Sequence, residues 1–217
     1  MKISAVLFDL DGVIVDTAKF HFLAWKRLAD SLGIPFTEKD NERLKGVSRS
    51  DSLSVILSLS GNDAHCSSED LELLMEKKNK WYVQYIETLS KSDILPGFTR
   101  VITWCRDTGR KTAIVSASKN TELIVNRLGI RYLFDTVIDG NRVTKVKPDP
   151  EGFLLAAHDL RVPPGHCLVI EDAAAGIRGA VAAGMHSVGI GNPSILDSAD
   201  IVVPALDRLD TALLENS

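Results

Sequence analysis

Residues 3–12 read ISAVLFDLDG, an apolar run from Ile3 to Phe8 without polar alternation, stopped by Asp9-Leu10-Asp11-Gly12. A strand with one wet face alternates, so an unbroken run of this length predicts a strand buried on both faces of a parallel sheet. Similar runs recur at Thr112 to Ser116, Thr136 to Ile138, Cys167 to Ile170 and His186 to Ile190, with Ile201 to Val203 as a sixth. Helical patterns separate most of them. Three end at a glycine suited to the left-handed C′ position: Phe98 to Thr108 at Gly109, Thr121 to Leu128 at Gly129, and Ala173 to Ala183 at Gly184. Asp149 before Pro150 reads as an N-cap with proline at the first helical position. Strand and helix therefore alternate as in βαβ units.

Between the first run and the second, β-branched runs vanish and apolar residues fall at helical spacing. The spacing predicts helices over Phe20 to Leu32, Glu38 to Leu44, Ser50 to Leu59 and Ser67 to Leu89. In the last of these, Ser67 with Asp70 resembles a capping box, and Leu71, Leu74, Met75, Lys78, Tyr82, Tyr85, Ile86 and Leu89 share one face. A helical block of this size after the first strand is an inserted subdomain rather than a linker. The expected division is residues 1–16 and 93–217 for the sheet domain and 17–92 for the insert.

Composition narrows the function classes. The chain has 217 residues, 45% apolar and 25% charged, which is ordinary globular composition. Lys and Arg total 25 against 29 Asp and Glu, so no basic field exists for a nucleic-acid backbone, and no nucleic-acid partner is expected. Three widely spaced cysteines, Cys66, Cys105 and Cys167, fit neither a disulfide framework nor zinc spacing and read as buried thiols. No apolar run approaches the ~20 residues of a membrane helix, and Asp9 ends the first run too early for a signal peptide. The expectation is a cytoplasmic monomer with no membrane partner.

In an open α/β sheet, ligands bind beyond the C-terminal ends of the strands. There the sequence places Asp9 and Asp11; Ser116, Ala117, Ser118, Lys119 and Asn120; Lys145 and Lys147; and Glu171 and Asp172. The chain has 19 aspartates, so an isolated D-x-D pair is weak evidence, and its weight comes from following a buried strand. Glu171-Asp172 alone could equally cap the helix opening at Ala173, and Lys147 alone could be a solvated loop lysine. Taken together, four crowded carboxylates call for a cation, and oxygen-only ligands select Mg²⁺. With one Mg²⁺ and one lysine, roughly one net negative charge remains, so a phosphoryl dianion enters only with its oxygens on the metal and the lysine. Phosphoryl transfer fits, one aspartate acting as nucleophile and another moving the alcohol proton.

FDLDGVIVDT at Phe8 to Thr17, Ser116, Lys147-Pro148 and IEDAAAGI at Ile170 to Ile177 resemble, in order and spacing, the four motifs of haloacid dehalogenase-type phosphotransferases. The resemblance spans the chain. It implies an α/β fold, a three-layer Rossmann-like parallel sheet core with an inserted α-helical cap subdomain. It implies Asp9 as the phosphorylated nucleophile and Asp11 as acid and base. Asp9, the main-chain carbonyl of Asp11, Glu171 and Asp172 would form the Mg²⁺ site, and Ser116 and Lys147 would steady the transferred phosphate. Of the two lysines, Lys147 is chosen because its Lys-Pro context matches the motif.

TAKFHFLAWKRLA at Thr17 to Ala29, LKGVSRSDSL at Leu44 to Leu53 and SASKN at Ser116 to Asn120 resemble members that move a phosphate between β-glucose 1-phosphate and glucose 6-phosphate through a bisphosphate. A sugar phosphate is then the expected partner; a phosphatase with the same core is the alternative. Arg49 offers a planar fork for a non-reacting phosphate, and Gly46 and Val47, in the loop from Lys45 to Arg49, let the backbone approach. Ala117, Ser118, Lys119 and Asn120 would add contacts from the core side. Thr17 and His21, four apart on one helix, would hold Asp11 and a hinge carbonyl. Trp25 continues that face and suits either sugar contact or packing, and Lys78 with Asn79 resembles substrate-facing cap positions.

Overall fold

The computed structural model describes residues 2–44, 48–60 and 67–214. After β1 (Ala5–Phe8), the chain runs through α1 (Ala18–Ser31), α2 (Glu38–Glu42), α3 (Arg49–Ser58) and α4 (Ser68–Ile86). It then continues through α5 (Phe98–Asp107), β2 (Lys111–Val115), α6 (Thr121–Arg127), β3 (Thr136–Ile138), α7 (Glu151–Leu160), β4 (Cys167–Glu171), α8 (Ala174–Ala182), β5 (His186–Ile190) and β6 (Ile201–Val203). By contacts the chain divides into Met1–Asp16 with Leu89–Ser217, and Thr17–Thr88. Among the described residues, no helix is long and apolar enough to cross a membrane.

The sheet unit has six parallel strands in the order β3-β2-β1-β4-β5-β6. All four residues of β1 are fully buried, as the unbroken apolar run requires. Ala5 and Leu7 join Ala113, Val115, Cys167 and Val169 on one face, packed against Phe153, Ala156 and Leu160 of α7 and Ala180 of α8. On the opposite face Phe8 meets Phe98 of α5 and Phe134 edge-on, with ring centroids 5.7 and 6.0 Å away. Burial of one such side chain contributes roughly 1.5–3 kcal/mol. The sheet is thus the middle of three layers.

The order has a topological switch at β1, because successive connections leave it toward β2 and later return beyond it to β4. Such a reversal opens a crevice outside the carboxyl ends of the strands. In register, Phe8 lies opposite Ile114 of β2 and Ile170 of β4, so the residues that follow all three meet there. Gly109, Gly129 and Gly184 end their helices at φ +69°, +67° and +69°. One boundary differs from the sequence expectation: Pro150, not Asp149, is the residue preceding α7. Asp149 nonetheless does the capping, its Oδ1 accepting from the Glu151 N–H at 3.0 Å.

The helical unit has its own core, where Leu28 and Ala29 of α1 pack with Leu53 and Ile56 of α3, Ile34 and Phe36, and Leu71, Leu74 and Met75 of α4. The Ser67 and Asp70 box opens α4: Asp70 N–H donates to Ser67 Oγ at 3.2 Å, and Ser67 N–H to Asp70 Oδ2 at 3.1 Å. The helix ends at Ile86, three residues short of the sequence expectation.

Candidate active site

Asp9 is the first residue beyond β1. Its N–H still belongs to the sheet, donating to the Ile170 carbonyl at 2.9 Å, so the buried carboxylate is carried on a rigid element. Glu171, the last residue of β4, is likewise buried beside it. The Lys147 ammonium joins them, donating to Asp9 Oδ1 at 2.5 Å, Glu171 Oε2 at 3.0 Å and the Val115 carbonyl at 2.9 Å. Its three N–H donors are thereby satisfied, and its Nζ stands 5.3 Å from the centroid of Phe153. Lys145 lies elsewhere, its side chain 69% exposed and 3.5 Å from Asp149, which separates the two lysines as the Lys-Pro context suggested.

Ligand oxygens of Asp9, Glu171 and Asp172 all lie within 4.8 Å of one another. Two glycines make this crowding feasible. A Cβ on Gly12, at φ +78°, would fall 1.9 Å from Asp172 Oδ2, and one on Gly176 would fall 2.0 Å from Glu171 Cδ. Electrostatics record the crowding. Burial and then the charge of Asp9 raise the Glu171 carboxyl well above the usual range, against the pull of Lys147. Asp172 sits at the exposed lip, yet the protein packed around its carboxyl, together with Asp9 and Asp11, pushes it up to about 7. Burial would lower Lys147, but Asp9 and Glu171 outweigh it and hold the ammonium above the ordinary lysine value. An all-oxygen set of mutually repelling carboxylates fits a hard divalent cation.

The loop after β2 supplies the neighbouring wall. Ser116 is buried, its N–H donating to the Ile138 carbonyl at 2.9 Å and its Oγ accepting from Ser118 N–H at 3.1 Å. Ser118 Oγ in turn accepts from Asn120 N–H at 3.2 Å, so the loop is folded on its own hydroxyls.

On the helical unit, α1 and α4 gather Thr17, His21, Trp25 and Lys78. Lys78 is 2% exposed, and its Nζ is 2.9 Å from His21 Nδ1 and 4.6 Å from the Trp25 ring centroid. Trp25 is buried in the helical core, so packing is the use the structure gives it. Burial, Lys78 and Arg49 hold His21 well below the ordinary histidine value. Lys78 Nζ and His21 Nδ1 share one hydrogen bond, and which of them donates follows from the tautomer of the ring and the protonation of the lysine. Arg49, the first residue of α3, donates from Nη2 to Asn79 Oδ1 at 3.1 Å. Lys45, Gly46 and Val47 lie outside the described residues.

The sequence reading did not give a role to Tyr82. Its hydroxyl is 3.0 Å from Thr17 Oγ1 and its ring centroid 4.1 Å from that of His21, so it links the Thr17 and His21 pair to α4. Its place four residues after Lys78 on the apolar face was the available signal.

Comparison with known proteins gives the family. The family model for haloacid dehalogenase-like hydrolases matches residues 3–184. The chain is 43% identical over 210 residues to a β-phosphoglucomutase of Bacillus subtilis (strain 168), covering 97% of this chain and 93% of that one. It is 30% identical to a phosphorylated carbohydrates phosphatase of Thermotoga maritima, covering 85% and 83%. A crystal structure of β-phosphoglucomutase from Clostridium difficile superposes with a TM-score of 0.90 at 41% identity, covering 99% and 96%.

Proposed function

This chain belongs to the haloacid dehalogenase-like hydrolase family, and on that premise we propose that it interconverts β-D-glucose 1-phosphate and β-D-glucose 6-phosphate through an aspartyl-phosphate enzyme and a β-glucose 1,6-bisphosphate intermediate. The observation that supports the reading is Asp9 at the topological switch point, one oxygen held by Lys147 and ligand atoms of Asp9, Glu171 and Asp172 within 4.8 Å of one another.

Lys147 binds Asp9 Oδ1, which leaves the other carboxylate oxygen as the nucleophile. That oxygen forms a bond to phosphorus as the bond from phosphorus to the sugar oxygen breaks. Asp11 gives its proton to the departing hydroxyl and, in the next half-reaction, takes one from the hydroxyl that attacks phospho-Asp9. Transfer to the 6-hydroxyl of glucose 1-phosphate yields the bisphosphate; after the sugar turns round, its 1-phosphate returns to Asp9 and leaves glucose 6-phosphate.

Lys147 and Ser116 steady the transferring group. Mg²⁺ held by Asp9, the Asp11 carbonyl, Glu171 and Asp172 would supply the positive charge that a phosphoryl transition state needs. Ala117, Ser118, Lys119 and Asn120 are assigned to substrate phosphate on the sheet unit. On the helical unit Arg49, with the Lys45 to Val47 backbone, is assigned to the phosphate that is not being transferred, with Lys78 as a substrate contact. Thr17 and His21 are assigned to positioning Asp11.

The test is product analysis by phosphorus NMR with Mg²⁺, β-glucose 1-phosphate and a trace of β-glucose 1,6-bisphosphate. Glucose 6-phosphate is expected without comparable free phosphate. Free phosphate as the main product would make water the acceptor and the chain a phosphatase, the activity named for the Thermotoga relative.

A further inference from the structure

The Asp139-Gly140-Asn141 turn follows β3, and Gly140 and Asn141 reach across to the loop that follows β2. The last ladder bond between these strands is Ser116 N–H to the Ile138 carbonyl. Beyond it parallel strands ordinarily diverge into independent loops; here the two chains stay locked together. Gly140 N–H donates to the Ser118 carbonyl at 3.2 Å, and Asn141 Nδ2 donates to the Lys119 carbonyl at 3.1 Å. Gly140 packs so closely that a Cβ there would lie 2.3 Å from the Ala117 carbonyl oxygen and 3.1 Å from Lys119 Cγ. Three consecutive carbonyls, those of Ala117, Ser118 and Lys119, thus face the turn.

The Asn141 side chain is itself held. Asp139 is buried, and its two oxygens accept from Asn141 N–H and Asn141 Nδ2, each at 2.9 Å. Both hydrogens of the carboxamide are therefore committed, one to Asp139 and one to Lys119. The loop's own hydroxyls take the N–H groups of Ser118 and Asn120. Among the described residues, the N–H groups of Ala117 and Lys119 donate to no protein acceptor. With the acceptors turned aside, the loop presents donors, which is what an anion requires.

We propose that Asp139-Gly140-Asn141 is a positioning element that fixes the 116–120 loop in its phosphate-receiving conformation, Asn141 acting through the Lys119 carbonyl and Asp139 acting through Asn141. The proposal rests on the reading of that loop as a phosphate contact. It distinguishes the chemistry of Asn141 from its shape. Asn141→Asp keeps the outline but sets a carboxylate against both Asp139 and the Lys119 carbonyl, whereas Asn141→Ala only removes the donors. Asn141 is exposed, so neither change strikes the core.

Under the mutase assay, Asn141→Ala should raise KM for β-glucose 1-phosphate about fivefold with kcat nearly unchanged, and Asn141→Asp should raise it further. Hydrogen exchange of the free protein should show faster exchange over residues 116–120 in Asn141→Asp than in the wild type. Unchanged KM in both variants, or a lowered melting temperature with KM intact, would overturn the proposal and leave the turn a purely structural clasp. Should the wild type fail to form glucose 6-phosphate, the functional reading falls instead. The exchange comparison still decides the clasp in that case: unaltered exchange over 116–120 would overturn it.

Discussion

Two buried lysines, one in each unit, experience opposite fates. Lys147, with its side chain 14% exposed, sits among Asp9, Glu171 and the Val115 carbonyl, and its ammonium is held above the ordinary lysine value. Lys78, 2% exposed, faces a neutral imidazole and the rings of Trp25 and Tyr82, whose centroids lie 4.6 and 4.8 Å away. Burial and the like charge of Arg49 lower it to about 7. Burial opposes charge in both places; the sign of the neighbours settles the outcome. The acids of the sheet rim keep their lysine charged, while burial among rings draws the lysine of the helical unit down toward neutral pH.

The largest expected effect breaks the contrast from the rim side. Asp9→Asn should cut turnover at least about a thousandfold while circular dichroism stays unchanged, because the nucleophile and the closest partner of Lys147 are lost together. Retention of more than a few per cent of activity would remove Asp9 from that role.

Next comes the lysine of the helical unit. Since its folded pKa of about 7 lies below the ordinary 10.5, the unfolded chain binds the extra proton between those values. The Lys78 contribution to stability should accordingly rise with pH across that window, read as a narrowing gap between wild type and Lys78→Met. Lys78→Met should flatten the rise and stabilise the protein at pH 7 by roughly 2 kcal/mol, read from urea midpoints at several pH values. A gap between Lys78→Met and wild type that stays constant from pH 7 to 10.5 would mean that the two lysines are not so different after all.

The smallest effect sharpens the same comparison. Arg49→Lys preserves the charge felt by Lys78 but forfeits the planar fork and the Asn79 bond, so KM for the sugar phosphate should rise about fivefold with kcat little altered. Steady-state kinetics identical to the wild type would detach Arg49 from phosphate binding.

Much of this was legible along the chain. The apolar runs became the six strands, most clearly β1 and β4, where burial on both faces leaves no polar alternation, whereas the edge strand β6 is only half-buried; the Ser67 to Asp70 spacing marked the start of α4. The acids after β1 and β4 were legible as a set because strand order converts ends of strands into neighbours in space. What periodicity cannot report is which distant atom a side chain meets. The Val115 carbonyl under Lys147, the Tyr82 hydroxyl beside Thr17 and the Asn141 amide on Lys119 all join residues more than twenty positions apart. The direction of the Asp139-Gly140-Asn141 turn toward the other loop likewise depends on the pairing of β2 with β3.

The central place of β1 also governs how the chain is made. A ribosome delivers Ala5–Phe8 well before the strand's two partners, which are encoded at Lys111–Val115 and Cys167–Glu171. Until those partners emerge, this four-residue apolar segment has both hydrogen-bonding edges unclaimed, the condition under which nascent chains engage chaperones or one another. The same late closure means that Asp9 and Glu171 cannot become neighbours until Cys167–Glu171 has left the exit tunnel, so the acidic set is assembled only after the whole helical insert and the first three strands have been made.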